Sequence, residues 1–297
     1  MHLLNVTERS SFSPIGSCYE SAARPRQLPA SRLKSRARRS PLSKTVQANM
    51  KTIITFDVDG TLIRAVGKDS NRLHKAAFAY AWQKVFNLKA DIDEVQHHGL
   101  TDGLILVKMM EHHGTPKQEA MDRLDDMRGA MIEYFEEYKS ETGRGLVLLP
   151  GILQLLKALQ ARSDVVFGLV TGNLEPIGWG KMEALGILDL FSRPLFGGFG
   201  SDFCSGDTVH TWKDRGELVR IARDRALKNN DVGELKASYH VGDTPMDVQA
   251  AEAGGAHAIG VLTGIFDEQA LLAPGVKATI LKDMEDTETV MRAFGLS

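Results

Sequence analysis

Cysteine is nearly missing from this chain of 297 residues, which contains only Cys18 and Cys204. We therefore expect no structural disulfide, and so little cysteine suits a reducing compartment. Long hydrophobic runs are also missing, because no apolar stretch approaches the roughly 18 residues that a membrane-spanning helix needs. The chain also has no large excess of charge, since its net charge is −2. Hydrophobic residues make up 43% of the chain. This composition is typical of an ordinary globular protein.

The near-neutral total hides an uneven distribution of charge. Residues 1–49 hold nine Lys and Arg against two acidic residues, a net of +7, and the remainder carries a net of −9. This basic leader has no lasting hydrophobic period, so we predict that it is disordered. Acid-poor, Arg- and Ser-rich leaders resemble organelle transit peptides, which predicts a plastid or mitochondrial location; without such a leader the prediction is cytoplasmic. A plain basic tail, or a gene model whose true start is Met50, are the alternatives.

Nucleic acid is not an expected partner of this protein. The basic cluster Arg36–Arg39 has no interleaved aromatic residues, and the part of the chain that follows the leader is acidic. Recognition of nucleic acid normally requires a basic face on the folded domain. We therefore expect neither a nucleic-acid nor a membrane partner, and the oligomeric state stays open.

Two carboxylates stand two positions apart, directly after an apolar and β-branched segment. That segment, Thr52–Phe56, is typical of a buried strand. Asp57 and Asp59 follow it, and Gly60 permits a sharp turn. Burying carboxylates costs free energy unless they meet a cation or ordered donors. The pattern therefore indicates a hard divalent cation and a reacting oxyanion.

Two further motifs follow strand-like segments later in the chain. Val170–Asn173 contains a hydroxyl-bearing threonine, and His240–Asp247 contains two acidic residues. With the Asp-x-Asp-Gly-Thr motif at Asp57–Thr61, they occur in the order found in the haloacid dehalogenase-like hydrolase superfamily. The chain resembles this family from Asp57 to Asp247. The resemblance implies a Mg²⁺-dependent phosphatase of a small phosphorylated metabolite, of the sugar phosphate or phosphoglycolate type.

The resemblance also implies the roles of the catalytic residues. Asp57 would attack phosphorus and carry an aspartyl-phosphate, which divides one hard step into two. Asp59 would protonate the leaving alcohol and later deprotonate the attacking water. Thr171, with the backbone N–H groups of Gly172 and Asn173, would hold the phosphoryl oxygens.

By the same resemblance, carboxylates and a carbonyl oxygen would bind the cofactor Mg²⁺. The implied ligands are the side chain of Asp57, the backbone carbonyl of Asp59 and the side chain of Asp243. Asp247 lies one helical turn after Asp243 and on the same helix face. We assign Asp247 either to the metal shell or to orienting the cation site.

The third motif of the family, a cation that neutralises the nucleophile and the phosphate, has the weakest match. It is usually a lysine that opens a helix between prolines, whereas this chain has Lys213 and Arg215 without either proline. We favour Lys213, because its spacing to Leu218 fits the apolar face that usually follows such a lysine. A solvated charge at a helix start is the alternative for either residue.

Two other functions are alternatives to the phosphatase. A phosphomutase of the β-phosphoglucomutase type would use the same nucleophile and acid–base pair, and a non-catalytic binding protein could keep the fold. A zinc site is disfavoured because the histidine pairs His97–His98 and His112–His113 lack the flanking carboxylate or cysteine spacing of zinc ligands.

Strand and helix segments alternate after Met50, which predicts an α/β fold with a Rossmann-like parallel sheet and helices on both faces. Three helix-like segments directly after the first strand predict an inserted α-helical cap over 67–147. The catalytic core is then 50–66 together with 148–297. All three motifs fall at the C-terminal ends of strands, the edge where open α/β sheets bind ligands.

Overall fold

Apolar and β-branched runs form a six-stranded parallel sheet in the computed structural model, which describes residues 50–67 and 71–296. These residues belong to one compact unit, Gln47–Ser297. The predictions for 1–49, a disordered transit peptide among them, lie outside the described residues. The strands are β1 (Met50–Phe56), β2 (Ile63–Ala65), β3 (Leu146–Leu148), β4 (Val165–Thr171), β5 (Gly197–Phe199), β6 (Glu234–Gly242), β7 (His257–Val261) and β8 (Ala278–Leu281).

The helices lie between these strands, and none of those described is long and apolar enough to cross a membrane. They are α1 (Arg72–Phe86), α2 (Asp102–His112), α3 (Lys117–Asp122), α4 (Leu124–Glu137), α5 (Ile152–Gln160), α6 (Glu175–Ala184), α7 (Trp212–Asn229), α8 (Pro245–Ala253), α9 (Glu268–Leu272) and α10 (Thr287–Ala293). Short 3-10 turns occur at Ile92–Glu94, Lys139–Glu141 and Leu188–Leu190.

The strand order of the sheet is β5-β4-β1-β6-β7-β8, the order of doubly wound Rossmann-like sheets. β1 lies between β4 and β6, and its last residue, Phe56, pairs with Leu169 on one side and Val241 on the other. The chain therefore leaves β1, β4 and β6 at the same edge. The turns that carry the three sequence motifs meet there.

Helices cover both faces of the sheet, because successive residues of a strand point to opposite faces. In β4, Leu169 joins an apolar cluster that includes Leu156 of α5 and Phe294 after α10. Its neighbour Val170 joins another cluster with Leu218 of α7. The predicted α/β fold with a parallel sheet and helices on both faces is confirmed.

Helices α1–α4 lie between β2 and β3 and are called the cap here. Their apolar cluster includes Trp82, Met131 and Phe135 of the cap, together with Leu174 and Ile177 from the start of α6. β2 and β3 pair antiparallel and connect the cap to the sheet. Core and cap therefore share buried apolar contacts at the side of the sheet that carries the motifs.

Several elements differ from the sequence prediction. The sequence pattern predicts one helix over 118–139, but the structure has two helices, α3 and α4, separated at Arg123, whose φ of −106° and ψ of 8° are not helical. The sequence pattern also predicts a strand over 194–198, but β5 is Gly197–Phe199, because pairing with β4 begins at Gly197. β2, β3, β8 and α9 were not predicted. Each has three to five residues, too few for a periodic pattern to stand out.

Candidate active site

The turn after β1 places Asp57 and Asp59 at the C-terminal edge of the sheet. The N–H of Asp57 donates to Val241 O at 2.9 Å, so Asp57 extends the ladder between β1 and β6. The backbone then leaves the sheet because Gly60 adopts a φ of 93°, a conformation that glycine tolerates. A Cβ atom at Gly60 would collide with the Asp243 carboxylate. Glycine therefore lets this turn approach the end of β6.

Asp243 and Asp247 come from the turn after β6 and the first turn of α8. Thr244 caps α8: its hydroxyl accepts the N–H of Asp247 at 3.2 Å and donates to Asp247 Oδ2 at 2.7 Å. Thr61 Oγ1 donates to Asp243 Oδ1 at 3.0 Å. Three carboxylates come together here, those of Asp57, Asp243 and Asp247. One oxygen atom of each lies within 4.8 Å of one oxygen atom of each of the others. The fold thus gathers three buried carboxylates from two distant motifs.

Arg215 is the cation beside these carboxylates. It is 5% exposed, and its Nη1 donates to Asp57 Oδ1 at 3.3 Å and to Asp247 Oδ1. Its Nε donates to the backbone oxygen of Gly99 in the cap at 3.1 Å. One guanidinium therefore connects the first motif, the last motif and the cap.

The preference for Lys213 over Arg215 does not agree with this geometry. Lys213 is exposed, and its Nζ lies 5.8 Å from the ring centroid of Trp212. The two residues are two positions apart in the first turn of α7, about 200° around the helix. Only one of them can face the sheet edge, and α7 turns Arg215 toward it.

The carboxyl groups differ in pKa because several charges share one buried space. Burial raises the pKa of Asp57 well above its ordinary value, even though Arg215 opposes the rise. Burial and repulsion from Asp247 raise the pKa of Asp243 to about 7. Burial would raise the pKa of Asp247 too, but Arg215, His240 and Thr244 together outweigh it and lower the pKa of Asp247 to about 2. Two of the three groups therefore resist ionisation unless more positive charge is added.

The loop after β4 carries the predicted phosphate-binding residues. The hydroxyl of Thr171 accepts from Asn173 Nδ2 at 2.8 Å and from the N–H of Asn173 at 3.3 Å. A hydroxyl has one hydrogen to donate, and with both of these bonds accepted the hydrogen stays available for a ligand oxygen. A Cβ at Gly172 would lie 2.6 Å from Leu100 O of the cap. The loop is therefore held open to a ligand and close to the cap.

Asp59 has a lysine partner that the sequence analysis missed. Lys181 Nζ donates to Asp59 Oδ2 at 2.6 Å, and Asn173 Nδ2 donates to the same oxygen at 3.0 Å. Burial by itself would raise the pKa of Asp59, but Lys181, with smaller contributions from His74 and Asn173, outweighs it and lowers the pKa. A sequence signal existed, because Lys181 lies four positions after Ile177 and thus on the buried face of α6.

A cavity of about 560 Å³ lies between the core and the cap. Asp57, Asp59 and Thr171 line it from the core, and His74 and Asp102 line it from the cap. The two cap residues are buried, and His74 Nε2 lies 3.0 Å from Asp102 Oδ2. The Asp102 carboxylate also accepts the N–H of Leu174 at 2.9 Å. The cap therefore closes the site with polar groups tied to the start of α6.

A second set of metal-type ligands lies on the cap surface. Glu94 Oε2 is 2.9 Å from His113 Nε2, and atoms of Glu94, His112 and His113 lie within 4.8 Å of one another. All three residues are exposed. Glu94 lies 19 positions before His113, so it meets the histidines only through the packing of the 3-10 turn against α2.

A family model and several solved structures are similar to this chain. The family model described as haloacid dehalogenase-like hydrolase matches residues 51–255, a range that contains every motif of the site. A search of curated proteins finds no significant match.

Solved structures with the same fold share little sequence with this chain. A hydrolase from Pseudomonas syringae is 20% identical, with a TM-score of 0.53, covering 82% of this chain and 98% of that one. A protein described as a predicted phosphatase, from Clostridium acetobutylicum, is 18% identical, with a TM-score of 0.55 and coverage of 82% and 99%. A β-phosphoglucomutase from Clostridium difficile is 16% identical, with a TM-score of 0.53 and coverage of 83% and 97%. On the family match, the chain belongs to the haloacid dehalogenase-like hydrolases.

Proposed function

We propose that this protein is a Mg²⁺-dependent phosphatase that hydrolyses a small phosphorylated metabolite through an aspartyl-phosphate. The observation that carries the proposal is the meeting of three carboxylates, Arg215 and the Thr171 hydroxyl at one sheet edge. Phosphoryl transfer asks a protein mainly for positioning and charge neutralisation, and this edge offers both. The cavity volume lies in the range of small-molecule sites.

The proposed reaction has two halves. An oxygen of the Asp57 carboxylate bonds to phosphorus, the ester P–O bond breaks, and Asp59 gives a proton to the leaving oxygen. Asp59 then takes a proton from water, the water oxygen bonds to phosphorus, and the P–O bond to Asp57 breaks. Phosphate is released and both carboxyl groups return to their starting forms. Throughout, the guanidinium of Arg215 balances charge, and Thr171 donates to a phosphoryl oxygen.

The buried carboxylates fit Mg²⁺. Carboxylate and carbonyl oxygens are the ligands that Mg²⁺ prefers, and the raised pKa values of Asp57 and Asp243 are those of groups that need another cation. Asp57, Asp243 and the backbone carbonyl of Asp59 would hold the ion. Asp247 would orient the site instead, because its oxygens already accept from Arg215 and from Thr244. When bound, Mg²⁺ supplies positive charge for the phosphoryl oxygens.

The test of the function is turnover of a panel of phosphate esters by the purified protein with Mg²⁺. We expect phosphate release without any added bisphosphate. A β-phosphoglucomutase-type enzyme is the alternative that the fold comparison keeps open, because such an enzyme and the protein described as a phosphatase have similar TM-scores. A mutase would isomerise a sugar phosphate, require a bisphosphate activator and release little phosphate. Mg²⁺-independent ligand binding without turnover would instead indicate a non-catalytic protein.

Mg²⁺ affinity is expected to fall with falling pH. The pKa of Asp243 is about 7 in the folded protein against an ordinary 3.8, so Mg²⁺ must displace a proton below pH 7. The apparent affinity should drop about tenfold per pH unit for each proton displaced. Without Mg²⁺, this group holds its proton more tightly when folded, so its contribution to the free energy of unfolding falls as pH rises from about 4 to about 7.

Isothermal titration calorimetry with MgCl₂ at pH 5.5, 6.5 and 7.5 (three points chosen about the pKa of about 7) measures this dependence. Asp243→Asn serves as the control, since it should bind Mg²⁺ weakly at every pH. EDTA should abolish turnover and excess Mg²⁺ should restore it. An affinity that stays constant over this pH range would contradict the assignment of Asp243 as a ligand that must lose a proton.

A further inference from the structure

The described hydrogen bonds to the Asp59 carboxylate end on one of its two oxygens. Both described hydrogen bonds to it, from Lys181 Nζ at 2.6 Å and from Asn173 Nδ2 at 3.0 Å, end on Oδ2. Two donors on a single oxygen fix the rotation of the carboxylate. Oδ1 is left as the oxygen that can exchange a proton with a ligand, and the Asp59 side chain is 37% exposed and lines the cavity.

Lys181 reaches Asp59 from a buried position. Its side chain is 2% exposed, and it comes from α6, the helix that begins directly after the Thr171–Asn173 loop. The cap packs closely against the neighbouring Gly180, since a Cβ there would lie 2.6 Å from Phe135 Cζ of α4. The loop proposed to hold the phosphoryl group and the lysine that binds Asp59 therefore belong to one continuous segment of the chain.

Stability alone gives a poor reason for a lysine here. A buried ammonium is costly to desolvate, and replacing a buried ion pair by apolar residues is often neutral or stabilising. Among the residues that the structure describes, Asp59 is the carboxylate that Lys181 contacts. The presence of a buried lysine here, despite its desolvation free energy, is therefore better explained by its effect on the orientation of Asp59.

We propose that Lys181 is a positioning residue that aims Oδ1 of Asp59 at the ester oxygen of the substrate, so that esters of poorly leaving alcohols depend on it. The inference rests on the proposed phosphatase function. In the step concerned, the ester P–O bond breaks as Asp57 bonds to phosphorus. Asp59, which must be protonated on Oδ1 for this step although Lys181 lowers its pKa, gives that proton to the departing alkoxide. Asn173 supports the same orientation through its bond to Oδ2.

The test compares two substrates in wild type and in Lys181→Met. An alkyl phosphate needs protonation of its leaving oxygen, whereas para-nitrophenolate leaves without it. We expect kcat/KM for the alkyl phosphate to fall about 100-fold, the scale of general acid catalysis, and kcat/KM for para-nitrophenyl phosphate to fall less than about threefold, because its departure draws little on that acid. Lys139→Met is the matched control, since Lys139 forms an exposed ion pair with Glu183, which lies in α6 like Lys181. This variant should leave kcat/KM for both substrates unchanged.

Two more variants separate positioning from a structural role. Lys181→Gln keeps an N–H donor for Oδ2 and should recover part of the loss on the alkyl phosphate. In an Asp59→Asn background, Lys181→Met should cost little more, because the two residues act on one step. Equal losses on both substrates, or no loss on either, would overturn the proposal, and so would failure of both Lys181 variants to fold. Absence of phosphate release by wild type would instead defeat the proposed function itself.

Discussion

Replacing Asp57 by Asn is expected to reduce kcat about 10⁶-fold, the scale of removing a catalytic nucleophile. The amide that replaces the carboxylate cannot form the aspartyl-phosphate. The fold should survive, because the raised pKa of Asp57 indicates that its ionised form is costly in this buried place. The folded Asp57→Asn variant should therefore be at least as stable as wild type near neutral pH. Such a gain in stability at the cost of activity is common at functional sites.

Phosphate release by single-turnover kinetics and thermal unfolding with and without Mg²⁺ measure the two effects. Asp125→Asn is the matched control, because the Asp125 side chain is 95% exposed on the cap; it should change neither quantity. A native-like unfolding temperature combined with near-normal phosphate release from the Asp57 variant would remove Asp57 as the nucleophile. Loss of both activity and folding would show that the residue is needed for the structure.

Removing the charge of Arg215 is expected to have the second largest effect. Arg215→Met leaves the buried carboxylates without their described cation, and kcat/KM should fall about 10³-fold, as when a preorganised charge-stabilising group is lost. Lys213→Met removes an exposed charge and should stay within about twofold of wild type. The pair forms an internal control, since both variants replace a cation in the first turn of α7 by the same side chain.

Arg215→Lys distinguishes charge from geometry. A lysine keeps the positive charge but offers one compact ammonium, so it cannot reach Asp57 and the backbone oxygen of Gly99 together as the guanidinium does. We expect activity between those of wild type and Arg215→Met, measured as kcat/KM on the same ester. A larger loss for Lys213→Met than for Arg215→Met would reverse the assignment that the geometry supports.

The contact between Arg215 and Gly99 also relates the chemistry to the cap. The backbone oxygen of Gly99 lies 3.1 Å from Arg215 Nε, and the N–H of Asp102 donates to Gly172 O at 2.8 Å. Both contacts end on residues next to the proposed phosphate position. A cap that excludes water from this space would strengthen every charge interaction in it, so we expect the cap to contribute to electrostatics as well as to the shape of the cavity.

Much of the fold follows from local sequence. Strands β1 and β4 have apolar and β-branched stretches, whereas β6 is partly polar and exposed in its first half. The acidic or hydroxyl residues that end or follow the three strands could still be assigned to one sheet edge, because parallel strands end together. The short elements β2, β3, β8 and α9 escaped prediction. β8 holds four residues at the edge of the sheet, a run too short for a strand period to stand out in its sequence.

The sequence by itself determined the kinds of chemical group in the site and the order in which strands deliver them, because strand ends and turn residues follow from local patterns. Only the tertiary structure decided which cation faces them. Lys213 and Arg215 differ by two positions, and the packing of α7 against the sheet fixes which one points inward. Likewise, Lys181 meets Asp59 across 122 positions of chain, and such a pairing depends on how α6 packs between the sheet and the cap.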